Sequence, residues 1–158
     1  VTNTIIVDAK SALLQRDGDV VDADGVSPIH FEQESGDYFV VVDHRNHLGI
    51  MTGTVVALSN TPTVINFTDG STTTFGLEAQ TNFGMPAGVL GLYGGDINGN
   101  NQSRYLGPNN DSASLKTIIS NASGNTTNSN YYPFATYNTG DVNNPASNYY
   151  PISEQMPN

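Results

Sequence analysis

The residues of this chain whose types and spacing could do chemistry lie between Gly94 and Asp111, in the stretch GGDINGNNQSRYLGPNND. Asp96, Asn98 and Asn100 stand at alternate positions there, and the backbone carbonyl of Gln102 follows two residues on. Oxygen donors at the first, third, fifth and seventh positions of a loop are what a hard cation such as calcium requires, because alternate groups turn inward around one centre. The closing acid departs from the EF-hand pattern: the twelfth position is Gly107, and the next carboxylate is Asp111, after Asn109 and Asn110. The loop is therefore longer than usual. One carboxylate among the first three ligands implies modest affinity, since ligand charge helps set the dissociation constant. Asn, Asp and Gly are also the ordinary residues of polar turns, so spacing alone leaves a calcium loop and a plain turn as equal readings.

Elements on either side must position this loop. Downstream, SASLKTIISNASG carries Leu115, Ile118 and Ile119 at helical spacing, which predicts a short helix with Asp111 serving as ligand and N-cap together. Upstream, residues 1–80 hold short apolar runs at sandwich-like spacing: Thr4 to Val7, Ala12 to Leu14, Ile29 to Phe31, Tyr38 to Val42, Thr54 to Leu58 and Val64 to Phe67. Turn clusters such as Asp17-Gly18-Asp19, Asp24-Gly25 and Asp69-Gly70 separate them. The pattern predicts a mainly β fold, a β-sandwich in which the nearly continuous Tyr38 to Val42 run is a central strand buried on both faces. Residues 81–93 form the junction, where Pro86 and its neighbouring glycines preclude a long helix. Residues 94–124 then make the loop and helix, and 125–158 an extended tail rich in Asn, Tyr and Pro.

The tail echoes what precedes it. Gly95-Asp96-Ile97-Asn98 returns as Gly140-Asp141-Val142-Asn143, and Ser129-Asn130-Tyr131-Tyr132-Pro133 returns as Ser147-Asn148-Tyr149-Tyr150-Pro151. Asp141 and Asn143 are thus candidate ligands of a second loop, in which Pro145 replaces the fifth-position oxygen. A decayed structural copy is the stronger reading of this second loop. Tyr131, Tyr132, Tyr149 and Tyr150 could stack on sugar rings or pack a subunit interface.

Composition narrows the function classes. Five basic against fifteen acidic residues give a net charge of −10, which repels nucleic acid and anionic membranes and favours cations. No apolar run is long enough to span a bilayer. No cysteine is present, so neither a thiol nucleophile nor a disulfide enters the argument. GxSxG, P-loop and GxGxxG motifs are missing too, and the expectation is a protein without enzymatic activity.

Two other clusters hold candidate ligands. Asp17, Asp19, Asp22 and Asp24 fall within eight residues, a weaker candidate for a second cation site, since such a cluster is more often two acidic hairpin turns facing water. His44 and His47 are three apart after a strand, where such residues face opposite sides, which points to hydrogen bonding, with Asp43 as a partner, rather than to zinc. Sequons occur at Asn66, Asn101, Asn121 and Asn125, and Asp111-Ser112-Ala113 fits a short O-glycosylation pattern.

LLQRDGDVVDADGVSP, GDYFVVVDHRNHLGIMT, GDINGNN with RYLGPNND, and the closing SEQMP together resemble, in that order, a C-terminal region of many secreted and cell-surface proteins of Bacteroidetes. HRNHLG and GDINGNN are its most specific parts. The resemblance implies an Ig-like or transthyretin-like β-sandwich followed by a small dockerin-like calcium-loop unit, with Asp96, Asn98, Asn100 and Asp111 as first-loop ligands and Asp141 and Asn143 as remnants of the second. Departures are Asn100 where the family usually has Asp and Asn101 where it has Gly. It also implies a strand before Val1; a sandwich one strand short has an open edge that an extended segment from another copy can fill. A sequence that is only part of a longer chain explains the same feature.

The expectation is therefore an extracellular or cell-surface structural protein, calcium-stabilised, whose partners are copies of itself in a fibre or assembly with strand exchange. The alternative is an adhesin or carbohydrate-binding module contacting surface glycans.

Overall fold

The computed structural model describes residues 4–15, 17–82, 84–122 and 124–127. The candidate tail residues Asp141, Asn143, Tyr131, Tyr132, Tyr149 and Tyr150 lie outside them.

The described residues form three two-stranded antiparallel sheets and one short helix, a mainly β arrangement. Strands β1 (Leu13–Leu14) and β2 (Val20–Val21) pair across an acidic turn, closed by the Gln15 N–H donating to the Asp19 carbonyl at 2.7 Å. Strand β3 (Gly36–Tyr38) pairs with β6 (Val56–Leu58), Asp37 opposite Ala57. Between them in sequence, β4 (Val41–Val42) pairs with β5 (Ile50–Met51), so that residues 43–49, containing HRNHLG, form their connection.

The innermost contacts gather where β5 ends. Ile50 is 2% exposed and Thr52 1%. The Thr52 N–H donates to the Val40 carbonyl at 3.0 Å, and its hydroxyl accepts from the Val40 N–H at 3.1 Å. On the other side the Phe75 N–H donates to Met51 O and the Gly53 N–H to Thr73 O, at 2.9 and 2.7 Å. That approach leaves no room for a side chain: a Cβ on Gly53 would sit 2.8 Å from the Thr74 carbonyl oxygen. Gly53→Ala is expected to destabilise the chain by about 1–3 kcal/mol, because a backbone atom has to retreat. A urea midpoint equal to wild type would show that the 73–75 segment does not rest there.

The expected strands at 4–7, 29–31 and 64–67 do not form among the described residues. Ile5, Ile6 and Val64 are 70%, 85% and 91% exposed. β-Branched content makes a segment fit for a pleated sheet, but a strand also needs a neighbour to hydrogen-bond. Nor is Tyr38 to Val42 one central strand. It divides into β3 and β4, each with a different partner, and Val41 faces solvent. Continuous apolarity marks the segment for pairing, and the change of partner at residues 39–40 turns its far end outward.

The junction holds turns and no helix, as Pro86 requires. It closes on itself through reciprocal bonds between Thr81 and Gly91, at 2.9 and 2.8 Å, and the Gln80 amide donates to the Phe67 carbonyl. Helix α1 (Asp111–Ser120) follows the loop, with Leu115, Ile118 and Ile119 half-buried. Its N-cap corrects the sequence reading. Asn110, not Asp111, caps it: the Asn110 Oδ1 accepts from the Ala113 N–H at 2.8 Å while Asp111 is the first helical residue. Several adjacent residues in NNDS are good caps, and Asp111 is excluded because its carboxylate is engaged on the loop.

Candidate metal-binding loop

Two buried carboxylates lace residues 95–111 together. Asp96, 1% exposed, accepts the Asn100 N–H on Oδ1 at 3.0 Å and the Asn101 N–H on Oδ2 at 2.7 Å. Asp111, 4% exposed, accepts the Ile97 N–H on Oδ1 at 2.8 Å, with the Asn98 N–H at 3.4 Å, and the Arg104 N–H on Oδ2 at 2.7 Å. Its own N–H donates to the Arg104 carbonyl at 2.9 Å. The sequence explains why the chain can wrap so tightly. Gly95 has φ 111° and Asn101 and Asn109 have φ 59° and 54°, left-handed conformations open to Gly and tolerated by Asn. Ile97, the residue after Asp96, is itself 7% exposed.

The two asparagines of the alternating set converge. The side-chain amides of Asn98 and Asn100 both donate to the Asn109 carbonyl, at 2.9 and 3.3 Å, and with Ser114 they line an open depression at the start of α1. Turning either amide over exchanges Nδ2 for Oδ1 and presents an oxygen at the same place. Asn100 Oδ1 meanwhile accepts the Gln102 N–H at 2.9 Å, so Gln102 belongs to the same turn. Of the first-loop candidates, all five are thus brought into one hydrogen-bonded unit. Alternate spacing does not single out Asn109; the signal for it is the Asn-Asn-Asp run before the helix, where Asn readily takes the left-handed conformation that turns its carbonyl inward.

The loop is tied to the β4–β5 connection. The Gly95 N–H donates to the Asn46 carbonyl at 3.0 Å, the Leu48 N–H donates to the Tyr93 carbonyl at 2.8 Å, and His47 bridges to Gly94. A Cβ on Gly49 would lie 3.5 Å from both the Asn101 and the Asp43 Oδ1. HRNHLG and GDINGNN, far apart in the chain, therefore form one surface. No family model, curated protein or solved structure matches this chain.

Within the connection the two imidazoles meet, contrary to the expectation that they face apart. Residues 44–47 form a turn, not a continuation of β4, and His44 Nδ1 lies 2.8 Å from His47 Nδ1 with the rings edge to face. His47 Nδ1 is also 2.8 Å from the Oδ1 of Asn46, which is 1% exposed. Burial, reinforced by the neighbouring His44 and the Arg45 guanidinium, pushes His47 down to about 4. Burial and Arg45 also lower His44, against a hydrogen bond to Asn46 and the Asp43 charge. Both rings are neutral at neutral pH.

The acidic stretch near β1 and β2 is built from separate turns. Asp17 accepts the Asp19 N–H, Asp22 the Ala23 N–H, and Asp24 the Val26 and Ser27 N–H groups and the Ser27 hydroxyl. Among the described residues no three His, Cys, Asp or Glu side chains gather in a metal-holding group. The Ser27 bonds, hydroxyl first, hold the Asp24 carboxyl down at about 2 against an ordinary 3.8. A depressed acid contributes to stability above 3.8, and that contribution is lost as pH falls toward 2. Of the sequons, Asn125 is 6% exposed and its side chain donates to the Ile119 carbonyl at 2.8 Å, which shields that position.

Proposed function

We propose that this chain is a non-enzymatic structural module of the cell exterior, braced by calcium at the 95–111 loop and assembling with copies of itself by strand exchange. The observation that carries the calcium reading is the burial of Asp96 and Asp111 beside the Asn109 carbonyl, on which the side-chain amides of Asn98 and Asn100 converge. Two buried carboxylates whose described partners are backbone N–H groups are costly unless a cation offsets their charge. Calcium suits oxygen-only donors of this kind. Its binding to the folded loop alone would stabilise the fold by mass action.

Assembly is supported by what the described residues leave uncovered. Ile5, Ile6 and Val7 are contiguous and 70%, 85% and 56% exposed, and every sheet is only two strands wide, so each keeps open edges. Ile50 and Ile97 are the buried apolar residues among those described, too few for a sandwich core. Pairing of the Ile5 to Val7 segment with an open edge of another copy would supply both the missing strand and the missing apolar cover, so that the sandwich and its dockerin-like loop unit are completed in the assembly. Head-to-tail repetition of such a contact builds a fibre.

Sedimentation velocity in millimolar calcium and then in excess EGTA tests this reading. Polymers that shorten or dissolve in EGTA are expected, and Ile6→Lys, which puts a charge into the exchanged strand, should leave monomers in calcium. A monomer under every condition would overturn the assembly reading.

A further inference from the structure

The His44-Arg45-Asn46-His47 turn brings two ring nitrogens and an amide oxygen close together. A neutral imidazole carries one N–H and one lone pair, and an amide oxygen only accepts. His47 Nδ1 faces His44 Nδ1 and Asn46 Oδ1, both at 2.8 Å. Three atoms able to ligate a metal thus lie within reach of a single cation.

We infer that His44 Nδ1, His47 Nδ1 and Asn46 Oδ1 form a binding site for a divalent transition ion of zinc's class, separate from the oxygen-only loop. Two imidazole nitrogens select such an ion over calcium, which prefers oxygen. Tetrahedral ligation at the usual zinc–nitrogen length of about 2.0–2.1 Å places neighbouring ligand atoms roughly 3.3–3.4 Å apart, so the rings separate by roughly half an ångström on binding. Solvent takes the remaining position, which the half-buried rings leave open.

The surroundings are prepared for this role. Both rings are neutral at neutral pH, the ligating form. His47 packs on the Gly94 backbone, where a Cβ would lie 3.6 Å from Nε2, which fixes its ring. Asp43 and Arg45 set the local charge from the same turn, the first favouring a cation and the second opposing it. Because Asn46 and His47 also hold Gly95 and Gly94, an ion here would clamp the β4–β5 connection to the start of the loop.

The test is zinc titration of the tag-free chain, stripped of metal and then held in saturating calcium, followed by calorimetry and by NMR of the three imidazoles. One equivalent should bind, shifting the ring resonances of His44 and His47 while the exposed His30 stays in place. Cobalt should give the visible ligand-field absorption of a nitrogen-bound ion. His44→Ala and His47→Ala should each weaken zinc at least about a hundredfold, beyond what loss of a mere supporting contact costs, and should keep the calcium-dependent rise in melting temperature. No saturable binding, or binding that moves His30 and not the other two, would overturn the inference; the wild-type spectra decide this even if a variant fails to fold.

Discussion

Asp111→Ala lowers the melting temperature by roughly 6–12 °C, on the scale of 2–4 °C per kcal/mol for a chain of this size. The expectation follows from what its carboxylate holds. Ile97 and Arg104 each lose an acceptor at 2.8 and 2.7 Å, at a position 4% exposed where water does not easily replace it. A buried donor left unsatisfied costs about 1–3 kcal/mol, so two give about 3 kcal/mol even toward the low end. A different role predicts a different number: an acid in the first turn of α1 acting only on the helix dipole is worth about 0.3–1 kcal/mol. Asn110→Ala, which removes the cap, calibrates the comparison at about 1 kcal/mol. Thermal melts of both variants in EGTA decide it. Equal, small losses would mean that Asp111 is a helix residue and that the loop does not depend on it.

The loop was legible in the sequence as one tightly turning unit because the spacing of its polar residues is a local constraint. Asp96, Asn98, Asn100, Gln102 and Asp111 needed only a chain that turns often enough, and Gly95, Asn101 and Asn109 supply the left-handed residues that let it. The cap was blurred by the same richness, since four neighbouring residues in NNDS can all do the job. Strands were harder. Ile5 to Val7 and Val41 to Val42 have equally suitable side chains, yet only the second finds a partner within the described chain, and pairing is not written in either segment alone. The histidines show the limit of periodicity. A spacing of three was judged as strand, and one tight turn at residues 44–47 brought the rings to the same side.

Calcium at a hundred times its dissociation constant raises the melting temperature of the wild-type chain by roughly 5–10 °C over EGTA, the equivalent of about 2.7 kcal/mol. The side chain that separates metal binding from folding is Asn98. It is exposed, and its amide donates to the Asn109 carbonyl, so its removal should cost little without metal. In Asn98→Ala the EGTA melt stays within about 2 °C of wild type, in keeping with a surface change of about 0.5 kcal/mol, while the calcium increment shrinks. Asn98→Asp adds a second carboxylate to the first three ligands and should enlarge the increment at the same calcium concentration, because charge count tunes affinity. Asp96→Ala abolishes the increment and also lowers the EGTA melt, since the Asn100 and Asn101 N–H groups lose their acceptor. Each increment is a difference within one variant, so unequal baseline stabilities do not confound it. An increment that is the same in all three, or absent from wild type, would make residues 95–111 a polar turn whose two buried aspartates serve folding alone, and the assembly would then need a different brace.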